Sequence, residues 1–304
     1  MANRADIHVH SKYSGLARLA FLRFPESVVE PEDIVRKARN AGLDTVCITD
    51  HNTIRGGLIA QKFAKGFDGV SVVVGEEISA LEGEIIGLFL NKEIPKGLPA
   101  AETIDLIRQQ GGLVVAPHPF SNHVPALGYL VDKLPIDGLE VFNAGHVDGF
   151  ANHRALEHSQ RGNWARLGGS DSHTLDTLGC AYTEFDGYGA EDFRKAVQDR
   201  ATRAFGVKQS TFMGVKWTME VVLESDVQIV KSVLMRNYDA RPDDVVRSKV
   251  KALPGHKKLA ALMASAFFLL PPVPYFVVLT GEWRMREINA KPIHDQNGEK
   301  PGLF

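Results

Sequence analysis

Between about residues 4 and 207 the chain alternates short apolar runs with amphipathic segments, and this alternation limits the fold more than any other feature. The runs "ADIHVH", "DTVCIT", "VSVVVGEEIS", "GEIIGLFL", "LVVAPHP", "DGLEVFN", "ARLGGSD" and "CAYTEF" read as strands. Among them, "EPEDIVRKARNAGL", "AAETIDLIRQQGG", "FANHRALEHSQRGN" and "AEDFRKAVQDR" repeat apolar residues at helical spacing. In the first of these, Pro31 suits the opening turn and Gly42 the C-terminal cap. Repeated β–α units with short connections predict an α/β fold with parallel strands, as an open sheet or a barrel.

The polar residues fall at particular places in that frame. Asp6, His8 and His10 occupy alternate positions of the first strand and so share a face, where three desolvated polar groups need a partner. Asp50 and His51 follow "TVCIT", Glu76 and Glu77 follow "VSVVVG", and His118 follows "LVVAP". Asn143 ends "GLEVFN", and Asp171 and His173 follow "ARLGGS". In a parallel barrel those strand ends meet at one mouth, where active sites are built. A single histidine there is ordinary, and "DHN" alone is a turn or a cap. Several strand ends bearing His, Asp or Glu together indicate a multinuclear metal site. Imidazole and carboxylate without thiolate suit Zn, Mn or Fe, and this many donors fit two or three divalent ions better than one.

A formal net charge of −2 argues against a general nucleic-acid binder held by bulk charge. Cys47 and Cys180, both in apolar runs, read as core thiols and exclude a sulfur-based zinc site. "MANRADIHVH" has no apolar signal-peptide core, so a cytoplasmic location is expected. Residues 1–207 are read as the barrel and residues 208–304 as a helical extension. Within that extension Leu259–Gly281 is uncharged and long enough to cross a bilayer, but Pro271, Pro272 and Pro274 split it. The expectation is a helical hairpin that packs, makes a homodimer contact or lies on a membrane surface, ahead of a true span. Lys257 and Lys258 precede it and Arg284 and Arg286 follow it, which sets no orientation. The polar "INAKPIHDQNGEKPGLF" is expected as a flexible tail.

"DIHVH", "ITDHN", "GEEIS", "APHP" and "GSDSH", in this order, resemble the metal-ligand motifs of the polymerase-and-histidinol-phosphatase (PHP) superfamily, over roughly residues 4–207. The resemblance implies a distorted seven-stranded (β/α)7 TIM-like barrel with a two- or three-metal centre that hydrolyses phosphoesters. By motif the ligands would be His8, His10, His51, Glu77 as a bridge, His118, Asp171 and His173. Two departures stand out. Where the family often reads "HxHxxxSDG", with the Asp a ligand, this chain has Gly15; where it often reads "HxxG", this chain has Glu84, itself able to bind a metal.

The resemblance also frames the chemistry. A metal-activated water would attack phosphorus in a small phosphorylated substrate. Lys12, Arg18 and Arg23, in the loop after the first motif, are candidate phosphate ligands, with Arg55 and Arg154 as further candidates. Asp50 is the candidate to orient an imidazole or relay a proton, and Asp6 the candidate acceptor behind the first histidine pair. His146 and His153, in "NAGHVDGFANHR", are candidates for a place near the centre, with a surface position the stronger reading. The rival readings are a C–N bond metallohydrolase, a 5′-end exonuclease with nucleic acid only as substrate, and a weakly catalytic membrane-linked scaffold.

Overall fold

The computed structural model describes residues 3–19, 22–235, 237–238 and 244–293; of residues 17–19, 22, 23 and 245 it describes the backbone alone. The chain opens with β1 (Asn3–Val9), a hairpin of β2 (Leu16–Leu19) and β3 (Leu22–Pro25), α1 (Pro31–Asn40), β4 (Thr45–Ile48) and α2 (Arg55–Ala64). It continues through β5 (Ser71–Ser79), β6 (Glu84–Leu88), α3 (Ala100–Gln109), β7 (Leu113–Ala116), β8 (Gly138–Asn143) and α4 (Phe150–His158). β9 (Ala165–Gly169), β10 (Ala181–Phe185), α5 (Gly189–Gln198) and β11 (Arg203–Gly206) complete this part. Local chemistry sets the boundaries where expected: Pro31 opens α1, and Gly42 follows it at φ +72°, a conformation glycine adopts without strain. α1 buries Ile34, Val35 and Ala38 against the sheet side of the molecule.

Apart from the β2–β3 pair, the described strands form one nine-stranded sheet, ordered β11-β10-β1-β4-β5-β6-β7-β8-β9. The expectation of seven strands is therefore corrected to nine. The β1–β4, β4–β5, β7–β8 and β8–β9 pairs are parallel, whereas β6 runs antiparallel to both its neighbours and β10 antiparallel to both β1 and β11. The connection from β5 to β6 is only a tight turn, too short for the crossover a parallel pair requires, so it makes a hairpin. The ends of the sheet approach each other: β9 lies beside β1, and a parallel bridge joins Val9 to Ser172. The sheet is thus a nearly closed barrel, filled by Ile7, Ile86, Val115, Leu167 and their neighbours. One consequence bears on the site. Because β6 is reversed, its first residue, Glu84, comes to the same end of the barrel as the last residues of the parallel strands.

Four described helices follow β11: α6 (Thr211–Leu234), α7 (Val245–Ala252), α8 (Gly255–Phe268) and α9 (Val273–Asn289). α6 packs against β3 and α9. The end of α9 is anchored by fully buried Asn289, which accepts from Asn122 N at 2.8 Å and donates to Asp148 Oδ2 at 2.9 Å. The proline-split segment forms α8 and α9, bent by 86° at the break, and no single described helix is long and apolar enough to cross a membrane. α8 packs against α6 and α9 but buries no residue fully, leaving Leu259, Met263 and Phe267 exposed. Residues 294–304, where a polar tail was expected, lie outside the described residues.

Candidate metal centre

Strand geometry delivers the polar side chains to one mouth. His8 and His10 sit two apart at the end of β1; His51 follows β4, His118 follows β7, and Asp171 and His173 follow β9. On β5 the period of two separates adjacent glutamates: Glu77 faces the cluster, whereas Glu76 accepts from Ile94 N at 2.9 Å. Four overlapping groups, His8–His10–Asp171, His8–Glu77–His118, His51–Glu77–Glu84 and His10–His51–His173, each gather donor atoms within 4.8 Å of one another. The structure therefore brings together all eight side chains expected from the motifs and from Glu84.

The separations have the scale of donors around a cation. Bonds of about 2.0–2.2 Å at tetrahedral angles put neighbouring donors about 3.3–3.6 Å apart. Glu77 Oε2 lies 3.1 Å from His8 Nε2 and 3.3 Å from His10 Nε2, and Asp171 Oδ1 lies 3.6 Å and 3.3 Å from the same two nitrogens. The other Glu77 oxygen, Oε1, is 3.1 Å from His118 Nε2, and Glu84 Oε2 is 3.8 Å from it. His51 Nδ1 is 3.4 Å from Glu77 Oε2 and 3.7 Å from Glu84 Oε1. His10 Nε2 is buried without a hydrogen bond, a costly state that a bound cation would relieve. The donor set thus fits divalent metal, with Glu77 reaching two groups at once. His118 and Asp171 hold positive φ, at 30° and 51°, backbone strain of the kind that collects at functional sites.

Mutual charge stabilises the cluster. Burial pushes the Glu77 and Asp171 carboxyls up, but the neighbouring imidazoles outweigh it and hold both well below the usual range. Burial pulls His118 down, but its hydrogen bond to Glu77 and the charges of Glu77, Glu84 and Glu140 raise it to about 9. Burial, with the charges of His173 and His51 against it, takes His10 down to about 3. Burial beside Glu77 raises Glu84 to about 7.

The groups behind the ligands differ from expectation. Asp6 does not hold an imidazole: its carboxylate accepts from the backbone N–H of Ser170 and Gly179, both at 2.9 Å. Glu140 takes that role, accepting from His8 Nδ1 at 3.1 Å and from His118 N at 2.8 Å. Room for it depends on Gly169, where a Cβ would stand 2.4 Å from Glu140 Oε1 and 2.6 Å from His8 Cβ. Asp50, expected to relay a proton, instead anchors the loop after β1: its oxygens accept from Ser11 N at 2.6 Å and Ser11 Oγ at 2.7 Å. Glu140 had a signal in the sequence, a carboxylate inside an otherwise apolar strand. Outer partners of this kind are worth about 10–100-fold in metal affinity. Glu140→Gln is accordingly expected to weaken metal binding by about that factor with the barrel folded, as read by chelator competition and circular dichroism.

The candidate phosphate-binding cations are mostly engaged elsewhere. Lys12 Nζ pairs with Glu30 at 2.8 Å and Asp244 at 3.7 Å, the Arg55 guanidinium stacks 5.2 Å over Tyr13, and Arg154 Nη2 donates to Lys291 O at 2.8 Å. The side chains of Arg18, on β2, and Arg23, on β3, lie outside the described residues. His153 is exposed as expected, but His146 is buried, its ring 5.4 Å from that of His118. Two neighbours of the cluster had no sequence signal. Glu26, just beyond β3, places Oε2 3.6 Å from His51 Nε2, and Trp217 of α6 lies 5.7 Å from His173.

Comparison with known proteins agrees with this architecture. A family model, PHP-associated, matches residues 149–202, which include Asp171 and His173. The chain is 55% identical over 153 residues to the uncharacterized protein MJ1587 of Methanocaldococcus jannaschii, covering 50% of this chain and 89% of that one. It is 31% identical over 189 residues to MJ0417 of the same organism, covering 60% of this chain and 70% of that one. Among solved structures, PsfC from Pseudomonas syringae PB-5123 superposes with a TM-score of 0.52 at 20% identity, over 72% of this chain and 97% of that one, a likeness of fold.

Proposed function

This chain belongs to the polymerase-and-histidinol-phosphatase superfamily, and from that premise we propose that it is a metal-dependent hydrolase cleaving phosphoesters of a small phosphorylated substrate. The observation that carries the reading is the shared carboxylate: Glu77 offers Oε2 to His8 and His10 and Oε1 to His118, so one side chain serves two groups of donors. Two or three divalent ions, Mn, Zn or Fe by donor type, would supply Lewis acidity, an activated water and charge to offset the phosphoryl oxygens. His8, His10, His51, Glu77, Glu84, His118, Asp171 and His173 would hold them.

The remaining residues support this division of labour. His8 and His118 are fixed through Glu140, which limits their ring and backbone freedom. The half-buried members of the cluster are His51, Asp171 and His173, so substrate would enter on their side, past Trp217. Since Lys12 is committed to two carboxylates, substrate charge would fall mainly to the metals rather than to that side chain.

The test is a substrate panel on protein loaded with Mn or Zn: a phosphomonoester, a phosphodiester, a cyclic amide and 5′-labelled single-stranded DNA. Turnover is expected on a phosphoester, lost on chelation and restored by metal. Turnover of the amide alone would overturn the phosphoester reading in favour of C–N hydrolysis.

A further inference from the structure

We propose that Glu26 is a metal ligand, delivered by the β2–β3 hairpin to the position that Gly15 leaves without a carboxylate. The two residues are backbone neighbours across the hairpin: Leu16 pairs with Pro25, and Glu26 N donates to Gly15 O at 3.3 Å. Gly15 itself, at φ +101°, presents no side chain. The Glu26 carboxylate therefore enters the mouth from beside the residue whose side chain is missing.

Two observations point that carboxylate at a cation. Its Oε2 is shielded from solvent, accepts no hydrogen bond, and stands 3.6 Å from His51 Nε2, within the donor-to-donor range of a shared ion. The group it approaches, His10–His51–His173, is made of imidazoles alone, and the buried Nε2 of His10 also has no hydrogen bond. Neutral imidazoles bring no negative charge to offset a dication, and a carboxylate does. His173 is free to contribute Nε2, because its Nδ1 is bonded to Asp171 O at 3.0 Å. The helical extension holds the new ligand in place: Trp217 Nε1 donates to Glu26 O at 2.8 Å. A residue of α6 thereby positions a group of the barrel's site.

This inference rests on the metal-centre reading and not on the identity of the substrate. The experiment titrates Mn²⁺ or Zn²⁺ into the metal-stripped full chain, counts bound equivalents by elemental analysis and measures affinities by chelator competition. Glu26→Gln keeps the size and polarity of the side chain but removes the charge. It is expected to lose one equivalent, or to weaken the weakest-bound one at least about tenfold, with the others unchanged. Trp217→Phe, which keeps an aromatic side chain and removes the donor, is expected to weaken the same equivalent several-fold. If wild type binds metal and Glu26→Gln matches it in number and affinity, the inference is overturned while the metal centre stands. A wild-type chain that takes up no metal would overturn both.

Discussion

Glu77→Gln is expected to remove metal from two groups of donors at once and to lower turnover by about a thousandfold or more. Loss of an outer partner costs about 10–100-fold in affinity, and Glu77 is proposed as a shared inner donor, whose loss should cost more. Its two oxygens lie 3.1 Å from His8 Nε2 and 3.1 Å from His118 Nε2, so neither side of the centre is complete without it. The glutamine keeps the shape but replaces one oxygen with an amide nitrogen, which cannot ligate, and removes the charge that holds the imidazoles. Removing one member of a buried ionic cluster leaves the others uncompensated, so a loss of thermal stability is expected as well. Elemental analysis, a turnover assay and a melting curve read the three effects. A Glu77→Gln protein that kept its metal content would refute the bridging role.

Metal affinity is expected to rise steeply with pH, by at least about a hundredfold between pH 6 and 8. The sign follows from which state holds the proton. In the metal-free cluster the carboxylates raise His118 to about 9 and place His8 well above its ordinary value, against the opposing effect of burial. Below those values the imidazoles are protonated, and a metal must displace their protons before it can bind. Each proton displaced makes apparent affinity rise about tenfold per pH unit, until pH passes the raised value and the dependence flattens. Chelator competition at several pH values gives the slope. Calorimetry in buffers of different ionisation enthalpy counts the protons released. A flat profile would show that these imidazoles carry no proton to displace in the metal-free protein.

Much of the centre was legible before folding because a strand has a simple rule. His8 and His10, two apart, must share a face, and Glu77 must face away from Glu76. Placing His51, His118, Asp171 and His173 needed only the further rule that parallel strands end at one mouth. The helix of residues 55–64 was less legible, since Gly56 and Gly57 weaken its pattern; Gly57 packs so closely on β5 that a Cβ would stand 3.1 Å from Val74 Cγ1. Asp6 and Asp50 depart from the expected roles for one reason. Proximity in sequence to a ligand does not say which way a carboxylate turns, and both turn to backbone donors.

By itself, then, the order of residues determined the α/β class and the strand ends, because these follow from periodicities of two and 3.6 that act within a few residues, while the resemblance of its motifs implied which strand-end residues are the candidate donors. Tertiary structure alone decided the rest: nine strands rather than seven, the reversal of β6 that brings in Glu84, the seat of Glu140 behind His8, and the arrival of Glu26 and Trp217 at the mouth. Each of these depends on contacts between segments far apart along the chain, such as the 191 positions separating Trp217 from Glu26. No local pattern encodes such a contact; it exists only once the barrel has nearly closed and α6 has packed across the hairpin.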